Sequence, residues 1–232
     1  MGEKALVLLS GGQDSTTSLV WAREVGNFDI EALSFYYGQR HKIEVEAAAK
    51  VTKEIGVSFE RANLSFVVAV LAQLGGGEEH SSLLSEVLNI SSPHPKDSSL
   101  PSSFVPGRNI LFFLYGGIYA YWRGIHNIVS GVCQTDYSGY PDCRREFIDS
   151  MEQTLSRGLQ FDIKIYTPLM FLSKAESIKL MDEMGYLWLL AYTHTCYNGE
   201  RPPCGDCPAC KLRIKGFEEA GIEDPLIKRI KN

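Results

Sequence analysis

The stretch Ala5-Leu6-Val7-Leu8-Leu9-Ser10-Gly11-Gly12-Gln13-Asp14-Ser15 decides the fold. A run of apolar residues closed by Ser-Gly-Gly reads as a buried strand entering a tight turn. From Ser15 to Val25 the pattern turns helical, with Leu19 and Val20 in the buried stripe. Two glycines directly after a buried strand admit backbone conformations closed to other residues, and they let successive N–H groups approach an anion. The helix that follows aims its free N-terminal donors and positive dipole end at the same place. Ser10 and Ser15 add hydroxyls. Asp14 is out of place beside phosphate unless it binds a magnesium ion that bridges phosphate oxygens. On this physics alone, a strand-to-helix turn capped by an aspartate and holding no ligand is an equal alternative.

Outward from the turn the alternation continues. Ile30 to Tyr37 reads as a second strand. His41 to Gly56 carries Ile43, Ala47, Val51 and Ile55 at steps of four, one face of a helix that Gly56 stops, and Val57 to Arg61 is a third strand. Strands alternating with helices predict a parallel sheet with crossover helices. Between Leu74 and Pro106 the pattern fails: Gly75-Gly76-Gly77 and the Ser/Pro-rich Ser91 to Ser103 predict a long mobile excursion, not a linker, because the alternation resumes. A helix is predicted over Asn109 to Arg123, a strand over Asn127 to Val132, a helix over Arg144 to Arg157 and a strand over Phe161 to Tyr166. Ser173-Lys174-Ala175-Glu176 fits a capping box opening a helix that runs to about Gly185. The expected fold class is α/β, a Rossmann-like parallel sheet with helices on both faces. The expected domains are 1–192, with an irregular insertion at 74–106, and a small C-terminal segment, 193–232.

The chain has 232 residues and a formal net charge of −5. Long nucleic acid demands a basic stripe. Lys228, Arg229 and Lys231 at the end are the one basic cluster, so no nucleic-acid partner is expected. The longest apolar run, Ile110 to Tyr121, falls short of the roughly 18 residues of a membrane span and has Arg108 and Arg123 beside it. The N-terminal apolar run is too short for a signal peptide. A cytoplasmic protein without membrane attachment is expected.

Of the 6 cysteines, Cys196, Cys204, Cys207 and Cys210 crowd into one segment among Pro202, Pro203, Gly205 and Pro208. Thiolates spaced by two residues reach one tetrahedral zinc ion from a tight turn, and four close its shell, which makes the site structural. An iron–sulfur cluster, a redox-active C-x-x-C pair, or His194 in place of one cysteine are the rival readings. Cys133 and Cys143 lie apart and read either as ordinary thiols or as candidate covalent nucleophiles.

Gly107-Arg108-Asn109 opens the strongest apolar helix, placing Arg108 to clamp a phosphate or carboxylate. Gln39, Arg40 and His41 follow the second strand, at the end that opens onto the ligand crevice in a doubly wound sheet. The loop Thr135 to Arg144 mixes aromatic rings with Asp136, Asp142 and Arg144, a set suited to stacking on a planar heterocycle and bonding its edge. Lys174 is a candidate for contact with pyrophosphate.

Neither G-x-x-x-x-G-K-[ST] nor G-x-G-x-x-G is present. Ser10 to Ser15 instead resembles the SGGxDS signature of the PP-loop (N-type ATP pyrophosphatase) superfamily, whose members bind ATP there and adenylate a carboxylate, carbonyl or amide oxygen. SGGQDSTT, FYYGQRH, FVPGRNILF, SGVCQTDYSGYPDCR, TPLM followed by SKAE, and THTCYNG…CGDCPACKLR, in that order from Leu9 to Arg213, together resemble the 7-cyano-7-deazaguanine synthase (QueC) family. The resemblance implies an adenine nucleotide alpha hydrolase-like fold and conversion of 7-carboxy-7-deazaguanine, ammonia and ATP to 7-cyano-7-deazaguanine, a step of queuosine biosynthesis. It implies ATP and magnesium, one structural zinc on Cys196, Cys204, Cys207 and Cys210, cleavage of ATP to AMP, and a homodimer. The ATP-binding residues are then expected at Leu9, Ser10, Gly11, Gly12, Gln13, Asp14, Ser15, Thr16, Thr17, Ser18 and Leu19. Substrate-binding residues are expected at Gln39, Arg40, His41, Arg108, Asp136, Tyr140, Asp142 and Arg144, with Asp14, Arg108 and Lys174 as catalytic candidates. The resemblance implies a cysteine where this chain has Ser18, a departure inside the helix and not expected to affect the chemistry. A tRNA-modifying PP-loop enzyme and a non-catalytic ATP sensor are the alternatives; the acidic composition and the lack of an added RNA-binding domain disfavour the first.

Overall fold

A computed structural model describes residues 2–39, 43–66, 81, 83–84, 94, 97–98, 100–135 and 140–231. Its centre is β1 (Lys4–Leu8), with four successive residues buried. On one side β1 pairs in parallel with β2 (Asp29–Tyr36), and β2 with β3 (Ser58–Asn63). On the other side it pairs with β4 (Asn127–Ser130), and β4 with β5 (Lys164–Tyr166). The order is β3-β2-β1-β4-β5, all parallel. The chain therefore reverses its direction of travel between β1 and β4, the place where a doubly wound sheet opens a crevice beyond its strand ends.

Strand periodicity sorts the core into two layers. Leu6 and Leu8 point to the face covered by α3 (Arg108–Arg123) and α4 (Arg145–Leu159), packing with Phe113, Ala120, Ile148 and Leu155. Ala5, Val7 and Leu9 point to the other face. There they meet α1 (Gln13–Glu24), α2 (Ile43–Ile55) and α5 (Lys174–Glu183) through Leu19, Val20, Val51, Ile178 and Met181. Each fully buried Leu or Ile contributes about 1.5–3 kcal/mol, so a sheet buried on both faces needs no alternation along its central strand. The segment after α5 forms a 3-10 turn, Leu187–Tyr192, then the cysteine-rich stretch, α6 (Pro208–Ala220) and α7 (Pro225–Lys231). Phe217 of α6 belongs to the same buried cluster as Val7 and Leu9.

The capping box is present: Ser173 Oγ accepts from the Glu176 N–H at 3.3 Å, and Glu176 accepts from the Ser173 N–H at 2.7 Å. Element ends differ by a few residues from the pattern. α1 starts at Gln13 because Gly12 is the extended N-cap, which puts Gln13 and Asp14 in the first turn. β5 is confined to Lys164–Tyr166, since Phe161 stacks on His126 with ring centroids 4.1 Å apart. Within the expected excursion, Leu83 and Val105 are buried in the core, so those parts are anchored by packing; most of 74–99 lies outside the described residues. No helix among the described residues is long and apolar enough to cross a membrane.

Candidate active site

A cleft of about 310 Å³ opens at the reversal point between β1 and β4. The turn after β1, the ends of β2 and β4, the start of α3 and the segment around His194 to Tyr197 all line it. A more open depression of about 400 Å³ beside Trp21, Lys164 and Tyr166 is lined by Thr167 and Pro168 of the TPLM motif but by none of the expected site residues.

The turn is built by its glycines and serines. Gly11 has φ +88°, and a Cβ there would strike the Glu44 carbonyl and lie 2.6 Å from the Ala48 nitrogen of α2. No other residue fits both the backbone angle and the space. Ser10 and Ser15 join hydroxyl to hydroxyl at 2.9 Å, and Ser10 Oγ accepts from the Gly12 N–H at 3.2 Å. Gln13, Asp14 and Ser15 open α1, whose first N–H groups have no partners within the helix. Gln13 is 3% exposed and lines the cleft, yet neither of its carboxamide atoms has a hydrogen-bond partner. Two buried, unpaired polar atoms facing a cavity cost about 1–3 kcal/mol each unless a ligand meets them.

Lys174, from the first turn of α5, donates to both Asp14 oxygens at 2.7 Å. Its aliphatic stem lies against Gly216 of α6, where a Cβ would collide with Lys174 Cγ. Asp14 is thus paired with a lysine and not left as an isolated charge beside the glycine turn.

At the far wall Arg108 stands over the Tyr140 ring, 5.5 Å from its centroid. Burial opposes its charge, but Tyr37, Tyr140, Asp142 and Cys143 outweigh that and hold it protonated even beyond an ordinary arginine. Its Nε is buried without a hydrogen-bond partner. Around it burial pushes the Tyr37 phenol up to about 12. Burial, with Asp142 adding to it, pushes the Cys143 thiol up to about 12 as well. A thiol so held is protonated at neutral pH and is no thiolate nucleophile. Tyr197 is raised by Tyr140 beside it and by burial. Glu44, in the first turn of α2, has its carboxyl raised to about 7 by burial, against the pull of Arg108.

The structure brings together Leu9, Ser10, Gly12, Gln13, Asp14, Ser15, Gln39, Arg108, Tyr140 and Lys174 on the cleft wall, with Gly11 packed behind. It does not bring Thr16, Thr17, Ser18 or Leu19 there: all four are fully buried, Leu19 in the apolar core and Thr17 bonded to the Gln13 carbonyl. One turn past the anion site, the helix faces the sheet. Gln39 lines the cleft, but its carboxamide is engaged by the Tyr37 N–H and the Phe35 carbonyl, so it shapes the turn after β2. Asp142 lies behind the wall, accepting from the Asn109 N–H at 3.3 Å, its carboxyl raised by burial. Arg144 is exposed and points to Glu146. Arg40, His41 and Asp136 lie outside the described residues. Pattern reading missed Glu44, Tyr37, Tyr197 and Arg213. An acidic residue in a first helical turn reads as a favourable dipole partner, so nothing in the local pattern of Glu44 points to a cleft.

The four cysteines form a separate centre. The sulfurs of Cys196, Cys204, Cys207 and Cys210 all lie within 4.8 Å of one another and none is in a disulfide. Backbone N–H groups of Asp206 and Cys207 point at Cys204 Sγ at 3.5 and 3.3 Å. His194 is not a member of the cluster. Its ring nitrogen Nε2 meets the Cys196 carbonyl at 2.8 Å, and its backbone N–H donates to the Gly11 carbonyl at 2.9 Å. The cysteine segment is therefore tied directly to the turn after β1. Arg213 braces the same segment, holding both Asp224 oxygens, both Thr193 and Thr195 hydroxyls, and the Leu190 carbonyl.

Comparison with known proteins agrees with this architecture. Residues 4–221 match the family model described as queuosine biosynthesis protein QueC. A 7-cyano-7-deazaguanine synthase of Chromobacterium violaceum is 46% identical over 98% of this chain and 94% of its own. One of Laribacter hongkongensis is 44% identical over 98% of this chain and 96% of its own. Two solved structures share the fold. A predicted subunit of tRNA methyltransferase from Methanocaldococcus jannaschii has a TM-score of 0.51 at 19% identity, over 78% of this chain and 76% of its own. NMN synthetase from Francisella tularensis has 0.50 at 14%, over 99% and 82%. With nearly its whole length matched by the family model and by relatives at such identity, the chain belongs to the QueC family of queuosine biosynthesis enzymes.

Proposed function

We propose that the chain converts 7-carboxy-7-deazaguanine, ammonia and ATP to 7-cyano-7-deazaguanine, activating first the carboxylate and then the amide. The observation that carries this reading is the cleft in which the Ser10–Ser15 turn and Arg108 face one space. The turn offers free helix-start donors and the unpaired Gln13 carboxamide to a nucleotide. Arg108 offers a fixed positive charge, with an unpaired Nε, to a carboxylate. The rings of Tyr37, Phe112, Tyr140 and Tyr197 supply flat surfaces for a heterocycle.

A carboxylate reacts poorly because its oxygen is a poor leaving group. Adenylation supplies a better one, ammonia displaces it to give the amide, and a second activation lets the nitrile form by elimination. The protein's part is to place phosphate, carboxylate and ring in one geometry and to balance charge. Asp14, which shares its charge with Lys174, is the turn's carboxylate that would hold a magnesium ion accompanying the ATP phosphates.

The cysteine donors fit zinc. Tetrahedral Zn–S bonds of about 2.3 Å place sulfurs about 3.8 Å apart, and Cys204 and Cys210 stand at 3.9 Å. Four thiolates leave no open position, so zinc contributes folding energy to 193–232 and takes no part in the reaction. A homodimer is proposed as well, with sedimentation as its test.

Incubating metal-loaded protein with ATP, ammonium and 7-carboxy-7-deazaguanine, and identifying products by mass, tests the reading. Nitrile with AMP and pyrophosphate supports it; unchanged substrate overturns it.

A further inference from the structure

Among the described residues two carboxylates line the cleft, Asp14 and Glu44. Asp14 is paired with Lys174. Glu44 makes no hydrogen bond or ion pair among the described residues, although it stands in a first helical turn locked against Gly11. The groups facing it from neighbouring elements are Arg108 of α3, Tyr37 after β2 and Tyr197 of the cysteine segment. Of the other lysines and arginines on the cleft among the described residues, Lys174 and Arg213 are held by Asp14 and Asp224. Among the described residues Arg108 is thus the cation left to draw a substrate carboxylate, in the cleft that Glu44 also lines.

We propose that Glu44 is the catalytic base of the reaction, taking the proton that nitrogen loses as each C–N bond order rises. This rests on the functional reading above. In the first displacement the ammonia lone pair forms a bond to the activated carbonyl carbon. The C–O bond to AMP breaks with its electron pair leaving on AMP, and one N–H proton passes to a Glu44 oxygen. In the second, the N–H bond of the imidate adenylate breaks and its electron pair becomes the third C–N bond. The C–O bond again leaves with AMP, and the proton again goes to Glu44. Adenylation of the carboxylate removes the substrate's negative charge, which favours ionised Glu44 just when the first displacement requires a base. Burial places the carboxyl near neutrality, where a base is both available and strong enough to act.

The amide, 7-amido-7-deazaguanine, isolates the second displacement from the titration of ammonium. With wild-type protein, kcat for nitrile formation from it rises with pH through a midpoint near 7. Glu44→Gln is expected to keep ATP affinity and a burst of pyrophosphate, to lose roughly 10²–10⁴-fold in kcat, and to lose that limb of the profile. Glu44→Asp is expected to restore part of the rate and the pH dependence. Glu44→Gln turning over within about threefold of wild type, or raising KM for the amide with kcat unchanged, overturns the proposal; the second result makes Glu44 a ring-binding residue. Wild-type protein that leaves the amide untouched overturns the functional reading instead, so the two failures are distinguishable.

Discussion

The Lys174 ammonium holds both carboxylate oxygens of Asp14 at 2.7 Å, across 160 residues of sequence. The pair joins the first turn of α1 to the first turn of α5 at the edge of the cleft. Its geometry depends on a third residue, because the lysine stem passes over Gly216 of α6.

Gly216→Ala should therefore separate stability from activity. In a helix interior this substitution ordinarily stabilises by up to about 1 kcal/mol. Here the added Cβ displaces a lysine fixed at both ends, so ATP-dependent pyrophosphate release should fall by roughly 10²-fold while the melting temperature changes by only a few degrees. Lys174→Met should lose at least as much, since it leaves the Asp14 charge uncompensated beside the anion site.

Metal removal should reach the nucleotide. His194 connects the Cys196 carbonyl to the Gly11 carbonyl, so a chelator strong enough to strip the cysteine centre should lower the melting temperature and weaken ATP binding together. Elemental analysis should give one metal per chain, and Cys207→Ser should reduce it. ATP affinity unchanged in the stripped, folded protein would show that the connection carries no strain.

Arg213→Ala should destabilise by about 3–5 kcal/mol in urea unfolding, because it leaves Asp224 buried and unpaired. The two side chains are 5% and 10% exposed, so solvent does not compensate the loss. Arg213→Lys should recover only part of it, having one ammonium where the guanidinium makes five hydrogen bonds.

Cys143 should resist alkylation in the native protein. Its thiol is raised to about 12 by burial and by Asp142, so the reactive thiolate is scarce at pH 8 and grows only as pH approaches that value. Mass spectrometry of iodoacetamide-treated protein should show Cys143 modified far more slowly than after denaturation. Cys143→Ser should retain ATP-dependent turnover within about threefold, as no covalent thioester is involved.

The loop after β1, the glycine stop of α2 and the Ser173 capping box were legible because each rests on neighbours in sequence. Local physics was also enough to bring the cysteines together, since two-residue spacing in a proline- and glycine-rich segment closes on one centre. The reach of α1 into the site was not legible. Thr16 to Leu19 continue the motif, but helical rotation turns them into the core within one turn. Asp142 and Arg144 belong to one distinctive loop, yet packing against Asn109 buries the first and leaves the second exposed.

The sequence by itself determined a parallel α/β sheet, a glycine turn at its first strand end, a four-sulfur centre and the family, because these are written in short-range periodicity, glycine placement and spacing. Only the tertiary structure decided which charges meet. Lys174 on Asp14, Arg213 on Asp224, and Glu44 facing Arg108 are pairings between separate elements. They arise where separately folded segments pack together, which no local pattern encodes.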